Sequence, residues 1–235
     1  MNTLPVNYVE LEAIYQTLEK RAYRCISLSG VHDLCGTSMT AYALAKRYQA
    51  NGYRVLLVDV NLHHPNLDSQ LGLKRLDWEV GCDQVAPIFA PSEMGTHYLT
   101  APISNTASLS FRDPNAIQHS LSQWLEQYDR VIFDTAPIST TNYRDIPTNL
   151  ICSAADASVL LMKSEFTTEV ALKDCCERLA KANANLVGVV MNDVHFPSLA
   201  SEMIRETERI PNVLNTVKHF LQRQIHKSTL LNFRI

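Results

Sequence analysis

The chain has 235 residues, 46% of them apolar and 19% charged, enough to bury one sizeable core in a single domain spanning 1–235. A formal charge of -3 gives no general attraction to phosphate backbones, so nucleic acid is not expected as a partner. The opening MNTLPVNYVELEAIYQ has neither the basic start nor the apolar stretch of an export signal, and no apolar run reaches the roughly 18 residues of a membrane span. A cytoplasmic location is the expectation.

Residues 8–20 (YVELEAIYQTLEK) space apolar side chains at helical intervals, and the short apolar run 25–28 follows as a buried strand. A helical pattern over 38–49, with Gly52 just past its end, leads into the continuous apolar run 54–59, which together make a βαβ unit. Residues 62–112 mix Pro, Gly, Ser and Asn with short apolar pieces, of which 97–102 reads as a strand within loop-rich structure. Then come a helix over 114–127, strands at 130–134 and 157–162, a helix over 168–183 and a strand at 186–192. This alternation predicts an α/β fold: a mostly parallel sheet with helices on both faces.

Six cysteines (Cys25, Cys35, Cys82, Cys152, Cys175, Cys176) lie mostly in apolar runs without a C-x-x-C pair and read as reduced thiols. His63 and His64 invite a metal site with His32. Adjacent side chains point different ways and no Cys or Asp spacing completes a ligand set, so solvated loop residues are expected.

In open parallel sheets, ligands sit at the carboxyl ends of the strands. Asp59, Asp134 and Asn192 end three of the apolar runs, and the segment from Ser29 to Ser38 joins the first strand to a helix. This is a P-loop layout. The segment Gly36-Thr37-Ser38-Met39-Thr40-Ala41-Tyr42-Ala43-Leu44-Ala45 resembles the G-K-S-T-T-x-x-N-L-A of the MinD/ParA superfamily. VLLVDVNLHHPNLDSQLGL (55–73) is similar to V-L-L-I-D-x-D-x-R-x-P-x-L-x-x-x-L-G-L, and YDRVIFDTAPI (128–138) to Y-D-x-V-I-I-D-T-P-P-V. ADASVLLMKSEFT and LVGVVMNDV resemble the later strands and the nucleotide-side asparagine. The resemblance runs over about 10–195, and points in particular to the cytoplasmic domain of bacterial tyrosine kinases that control capsule and exopolysaccharide chain length.

That resemblance implies a P-loop NTPase-like fold. ATP or ADP with Mg²⁺ would be the cofactor, with Gly36, Thr37, Ser38 and Asn192 around the nucleotide and Ser38, Asp59 and Asp134 on the metal. The bland alternative for the two aspartates is a strand-end carboxylate bonded to nearby backbone N–H groups. A working loop also needs a lysine on the β and γ oxygens. Thr37 stands in its place, and no Lys or Arg occurs between Arg24 and Lys46. The loop is longer than the kinase version and carries only Gly30 and Gly36, while Asn61 replaces the second aspartate of the first acidic motif. Of the kinases' E-x-x-R-x-x-R assembly stretch Glu12 aligns, but Tyr15 and Leu18 replace both arginines. Residues 196–235 contain no tyrosine where the kinases carry their autophosphorylated cluster.

Loss of a charged donor costs about 1.5–3 kcal/mol, and phosphoryl transfer loses more because electrostatic stabilisation dominates it. The expectation is therefore a non-catalytic or weakly nucleotide-binding chain with neither ATP hydrolysis nor tyrosine kinase activity, and with no cofactor unless ATP or ADP with Mg²⁺ binds without turnover. It would act as a regulatory or scaffold subunit of a bacterial envelope polysaccharide biosynthesis or export assembly, with protein partners that include a membrane protein. The alternative is an ATP-dependent, MinD-like dimerising switch that positions a pilus, flagellum or secretion machine. Over 212–235, Val213, Leu214, Val217, Phe220, Leu221 and Ile225 recur at helical spacing among four basic residues and no acidic one. Such a basic amphipathic segment suits the inner-membrane surface, a partner, or the chain's own core.

Overall fold

The computed structural model describes residues 9–82, 86–92, 95–104, 106–140, 142–164 and 166–192, with Thr207 and Gln224. The chain divides into two compact units, 1–190 and 191–235. Apart from Gln224, the 212–235 segment lies outside the described residues.

In chain order the elements are α1 (Val9–Glu19), β1 (Cys25–Gly30), α2 (Thr37–Ala50), β2 (Val55–Asp59), α3 (Leu67–Leu71), β3 (Thr96–Leu99) and α4 (Ala107–Ser110). They continue with α5 (Pro114–Gln127), β4 (Arg130–Asp134), α6 (Thr148–Ala154), β5 (Ala157–Lys163), α7 (Glu169–Lys181) and β6 (Leu186–Asn192). The strands form one parallel sheet in the order β3-β2-β4-β1-β5-β6, the fold class expected from the sequence. The third strand is shorter and earlier than the expected 97–102, and α3, α4 and α6 had no counterpart among the expected helices.

Every residue of β1, β2 and β4 is buried, as a parallel sheet covered on both faces requires. The period of two along each strand sends alternate residues to opposite cores. Val55, Leu57 and Ile132 pack with Leu11, Leu18, Leu44 and Tyr48 of α1 and α2. Leu56, Val58, Val131 and Phe133 pack with Ile117, Leu121 and Trp124 of α5 and Ile151 of α6.

Helix α1 is bound to its own domain. Arg47 donates from Nε to Glu12 Oε2 (2.7 Å) and from Nη2 to Glu12 Oε1 (3.1 Å), and its guanidinium sits 4.0 Å from the Tyr15 ring centroid. Tyr15 and Leu18 are buried in the core.

Among the described residues, two helices begin with side-chain caps: Asp113 accepts from Asn115 N at α5 (2.9 Å), and Thr168 from Ala171 N at α7 (3.2 Å). Helix α2 begins differently. Its N-cap is Gly36, at φ 86°, with no side-chain cap bond, so its first-turn N–H groups are left for another acceptor.

Candidate functional site

The site is assembled at the carboxyl ends of β1, β4 and β2. Asp59 and Asp134 are directly opposite in the β2–β4 register, which places two carboxylates side by side. Both are buried. Asp59 accepts backbone N–H bonds from Asn61 (2.9 Å), Asn66 (3.1 Å) and Leu67 (3.2 Å). Burial nevertheless raises its pKa to about 6, against the opposing pull of those three bonds, and the charge of Asp68 adds to the rise. The Asp134 pKa is pushed well above the ordinary carboxylate range, first by burial and then by the charge of Asp59, while hydrogen bonding from the Ser38 side chain works the other way. Asp134 Oδ1 is buried without a hydrogen-bond partner among the described residues. The bland reading thus fits Asp59 and does not fit Asp134.

A buried oxygen without a donor, beside a second carboxylate and a serine hydroxyl, has the chemistry of a hard-cation site. Ser38, Asp59 and Asp134 fit Mg²⁺, whose charge would favour both carboxylates in their ionised form against the burial that raises their pKa values. These are the metal residues the sequence singled out.

The phosphate side is built by the loop after β1. Backbone bonds from Ile138 N to Gly30 O (2.9 Å) and from Ser139 N to Val31 O (3.3 Å) tie it to the segment after β4. The loop closes tightly over Gly30: a Cβ there would lie 2.7 Å from His32 O and 3.1 Å from Thr37 Oγ1. Thr37 therefore turns its hydroxyl into the loop, where the motif calls for an ammonium. Leu34 sits at φ 60° with 87% of its surface exposed, a left-handed conformation that costs a branched side chain about 1–2 kcal/mol.

The flanking cations are engaged elsewhere. Arg24 precedes β1, at the opposite end of the sheet, and its Nη2 donates to the carbonyls of Leu125 and Tyr128. Lys46 Nζ donates to Gln49 Oε1 (2.9 Å) and lies 5.7 Å from the Tyr42 and Tyr98 ring centroids. The uncapped α2 terminus supplies backbone donors for an anion. Residues 25–45 contain no Lys or Arg.

No protein-family profile matches the chain. Over 165 residues it is 28% identical to the tyrosine-protein kinase YwqD of Bacillus subtilis, an alignment covering 67% of each chain. The kinase domain of the Escherichia coli tyrosine kinase ETK superposes with a TM-score of 0.65 at 17% identity, over 82% of this chain and 81% of that one. MinD of Pyrococcus horikoshii, solved with Mg-ADP, superposes with a TM-score of 0.58 at 18% identity, over 74% and 72%. The chain shares the fold of the MinD-type P-loop proteins.

Of the nucleotide residues expected from the sequence, Gly36, Thr37 and Ser38 fall together at the start of α2. Asn192 closes β6 and belongs to the second unit. A cation that sequence reasoning missed is Lys163, the last residue of β5. Parallel pairing sets Leu161 opposite Gly30, which carries the end of β5 alongside the start of the loop. Lys163 Nζ lies 5.8 Å from the Phe166 ring centroid, and that ring meets His32 edge-on at 5.6 Å.

His63 and His64 are exposed loop residues, as expected, but their side chains do not diverge. The chain bends over 62–64, so the His63 and His64 rings converge, with centroids 4.4 Å apart, and Asp33 of the loop joins them. The separate cavity of about 330 Å³ lined by Ile138, Thr148, Asn149, Arg178 and Lys181 contains none of the expected nucleotide or metal residues. No helix among the described residues is long and apolar enough to cross a membrane.

Proposed function

We propose that this chain is a catalytically degenerate P-loop protein, a regulatory or scaffold subunit of a bacterial envelope polysaccharide assembly. The observation that carries the reading is Thr37, packed into the loop over Gly30 with both flanking cations bonded elsewhere. Without a positive group on the β and γ oxygens, a bound polyphosphate lacks the stabilisation that phosphoryl transfer depends on. The envelope setting is supported by the sequence likeness to a bacterial tyrosine-protein kinase and by the motifs shared with the chain-length kinases. A role through partners rather than self-assembly is supported by α1, which keeps Glu12 on its own Arg47 and buries Tyr15 and Leu18. The chain works on the cytoplasmic face of the inner membrane, next to a membrane protein of that assembly.

Titration of the purified chain with ATP at constant Mg²⁺ while following thermal unfolding tests this, since a ligand stabilises the state it binds. The reading expects no shift in Tm and no release of phosphate. A rise of several degrees would overturn it.

A second reading is favoured by Asp134, whose unpartnered Oδ1 beside Ser38 and Asp59 suits Mg²⁺ on a nucleotide. In it the chain is an ATP-dependent dimerising switch of the MinD kind, with Lys163 supplying the missing charge. Saturable ATP binding by the wild type, lost in Lys163→Ala, would establish that reading in place of the first.

A further inference from the structure

We propose that Asp33, His63 and His64 form a binding site for a first-row divalent transition metal of the Zn²⁺ class. The three side chains come from loops that follow different strands, β1 and β2, and meet at the carboxyl edge of the sheet. One ligand atom from each lies within 4.8 Å of the others, and His64 Nε2 is 3.9 Å from Asp33 Oδ1. Zinc at about 2.0–2.1 Å from each donor sets tetrahedral donors about 3.4 Å apart. The widest present separation of 4.8 Å therefore has to close by at most about 1.4 Å. The side chains are free to make that adjustment, with His64 65% and Asp33 34% exposed.

The histidine side is held in place from below. Asn61 N donates to Asp59 Oδ1 (2.9 Å), and Asn61 Oδ1 accepts from His64 N (3.0 Å). The residue that stands where the motif has a second aspartate thus anchors the backbone that carries the imidazole. Two imidazoles and a carboxylate select Zn²⁺ and its first-row neighbours over Mg²⁺ and Ca²⁺, which prefer all-oxygen shells. Three protein donors leave the fourth tetrahedral position to water or to an anionic oxygen such as a phosphate. Because Asp33 belongs to the loop and His63 and His64 to the segment after β2, a bound ion would tie these two loops together.

The test uses the full chain, stripped with EDTA and titrated with ZnCl₂ and with CoCl₂ by calorimetry and absorption. One ion binds per chain, Mg²⁺ does not compete, and the Co²⁺ complex shows tetrahedral visible bands without a thiolate charge-transfer band. His63→Gln, His64→Gln and Asp33→Asn each weaken binding on the order of tenfold or more, and Zn²⁺ raises the Tm of the wild type but not of the double histidine variant. All three positions are at least partly exposed, so circular dichroism should report unchanged folding. Asp134→Asn should bind Zn²⁺ as the wild type does, which separates this site from the nucleotide question. Absence of stoichiometric binding, a thiolate band, or affinity indifferent to the histidine changes would overturn the proposal.

Discussion

The acidic ends of β2 and β4 and the loop after β1 border the same site, yet they are held by different means. Asp59 and Asp134 are fixed by sheet register and sit at 0% and 2% exposure. The loop is fixed locally, by its own backbone and by whichever side chain stands at position 37. The acidic pair is costly to the fold, since two buried carboxylates repel and one carries an orphan oxygen. A cation bound between the two carboxylates would offset a cost of that kind. The loop itself carries no Lys or Arg: Thr37 stands at the lysine position, Arg24 and Lys46 are engaged elsewhere, and the nearest alternative cation, Lys163, comes from the end of β5.

The largest expected effect lies on the acidic side. Asp59→Ala strips the acceptor from three backbone N–H groups, and urea unfolding should show a loss of roughly 3 kcal/mol or more. Retained stability would mean that those groups find water. Asp134→Asn should act in the opposite direction. It removes the repelled charge, and the Tm at neutral pH should rise. A loss would show that Asp134 has a partner the geometry lacks.

The pH dependence follows from the same pair. Asp59 titrates near 6 when folded against 3.8 when free, and Asp134 is raised as well, so the native state holds more protons than the unfolded chain across that window. The contribution of the pair to stability therefore falls as pH rises through it. Thermal midpoints measured from about pH 5 to about pH 7 should decline more steeply in the wild type than in Asp134→Asn. Millimolar Mg²⁺ should flatten the decline if the pair receives the ion. The smallest effect belongs to the loop, where Leu34→Gly relieves a left-handed backbone. Its gain is up to about 1 kcal/mol, because glycine's extra freedom in the unfolded chain offsets part of the relief. A destabilised Leu34→Gly would imply that the exposed leucine makes a contact.

Much of this was legible in the sequence because buried parallel strands read as unbroken apolar runs, and 54–59 and 130–134 end on acidic residues. Helices α3, α4 and α6 escaped notice since four to seven residues span too few turns to show a periodicity. Strand order and pairing were also hidden. The placement of Lys163 beside the loop depends on β1 pairing with β5, more than a hundred residues away. The meeting of Asp33 with His63 and His64 depends on two loops converging and on a backbone bend that reverses the usual divergence of neighbouring side chains. Spacing along the chain carries no trace of either.

The central claim is that the phosphate side lacks one positive group while the metal side remains competent. Calorimetric titration of Mg-ATP into the wild type and into Thr37→Lys, run side by side, tests it most directly. The account predicts no measurable heat of binding for the wild type and saturable binding for the variant, strengthened by the roughly 1.5–3 kcal/mol of a charge-assisted hydrogen bond. Equal binding by both proteins, or by neither, would contradict it.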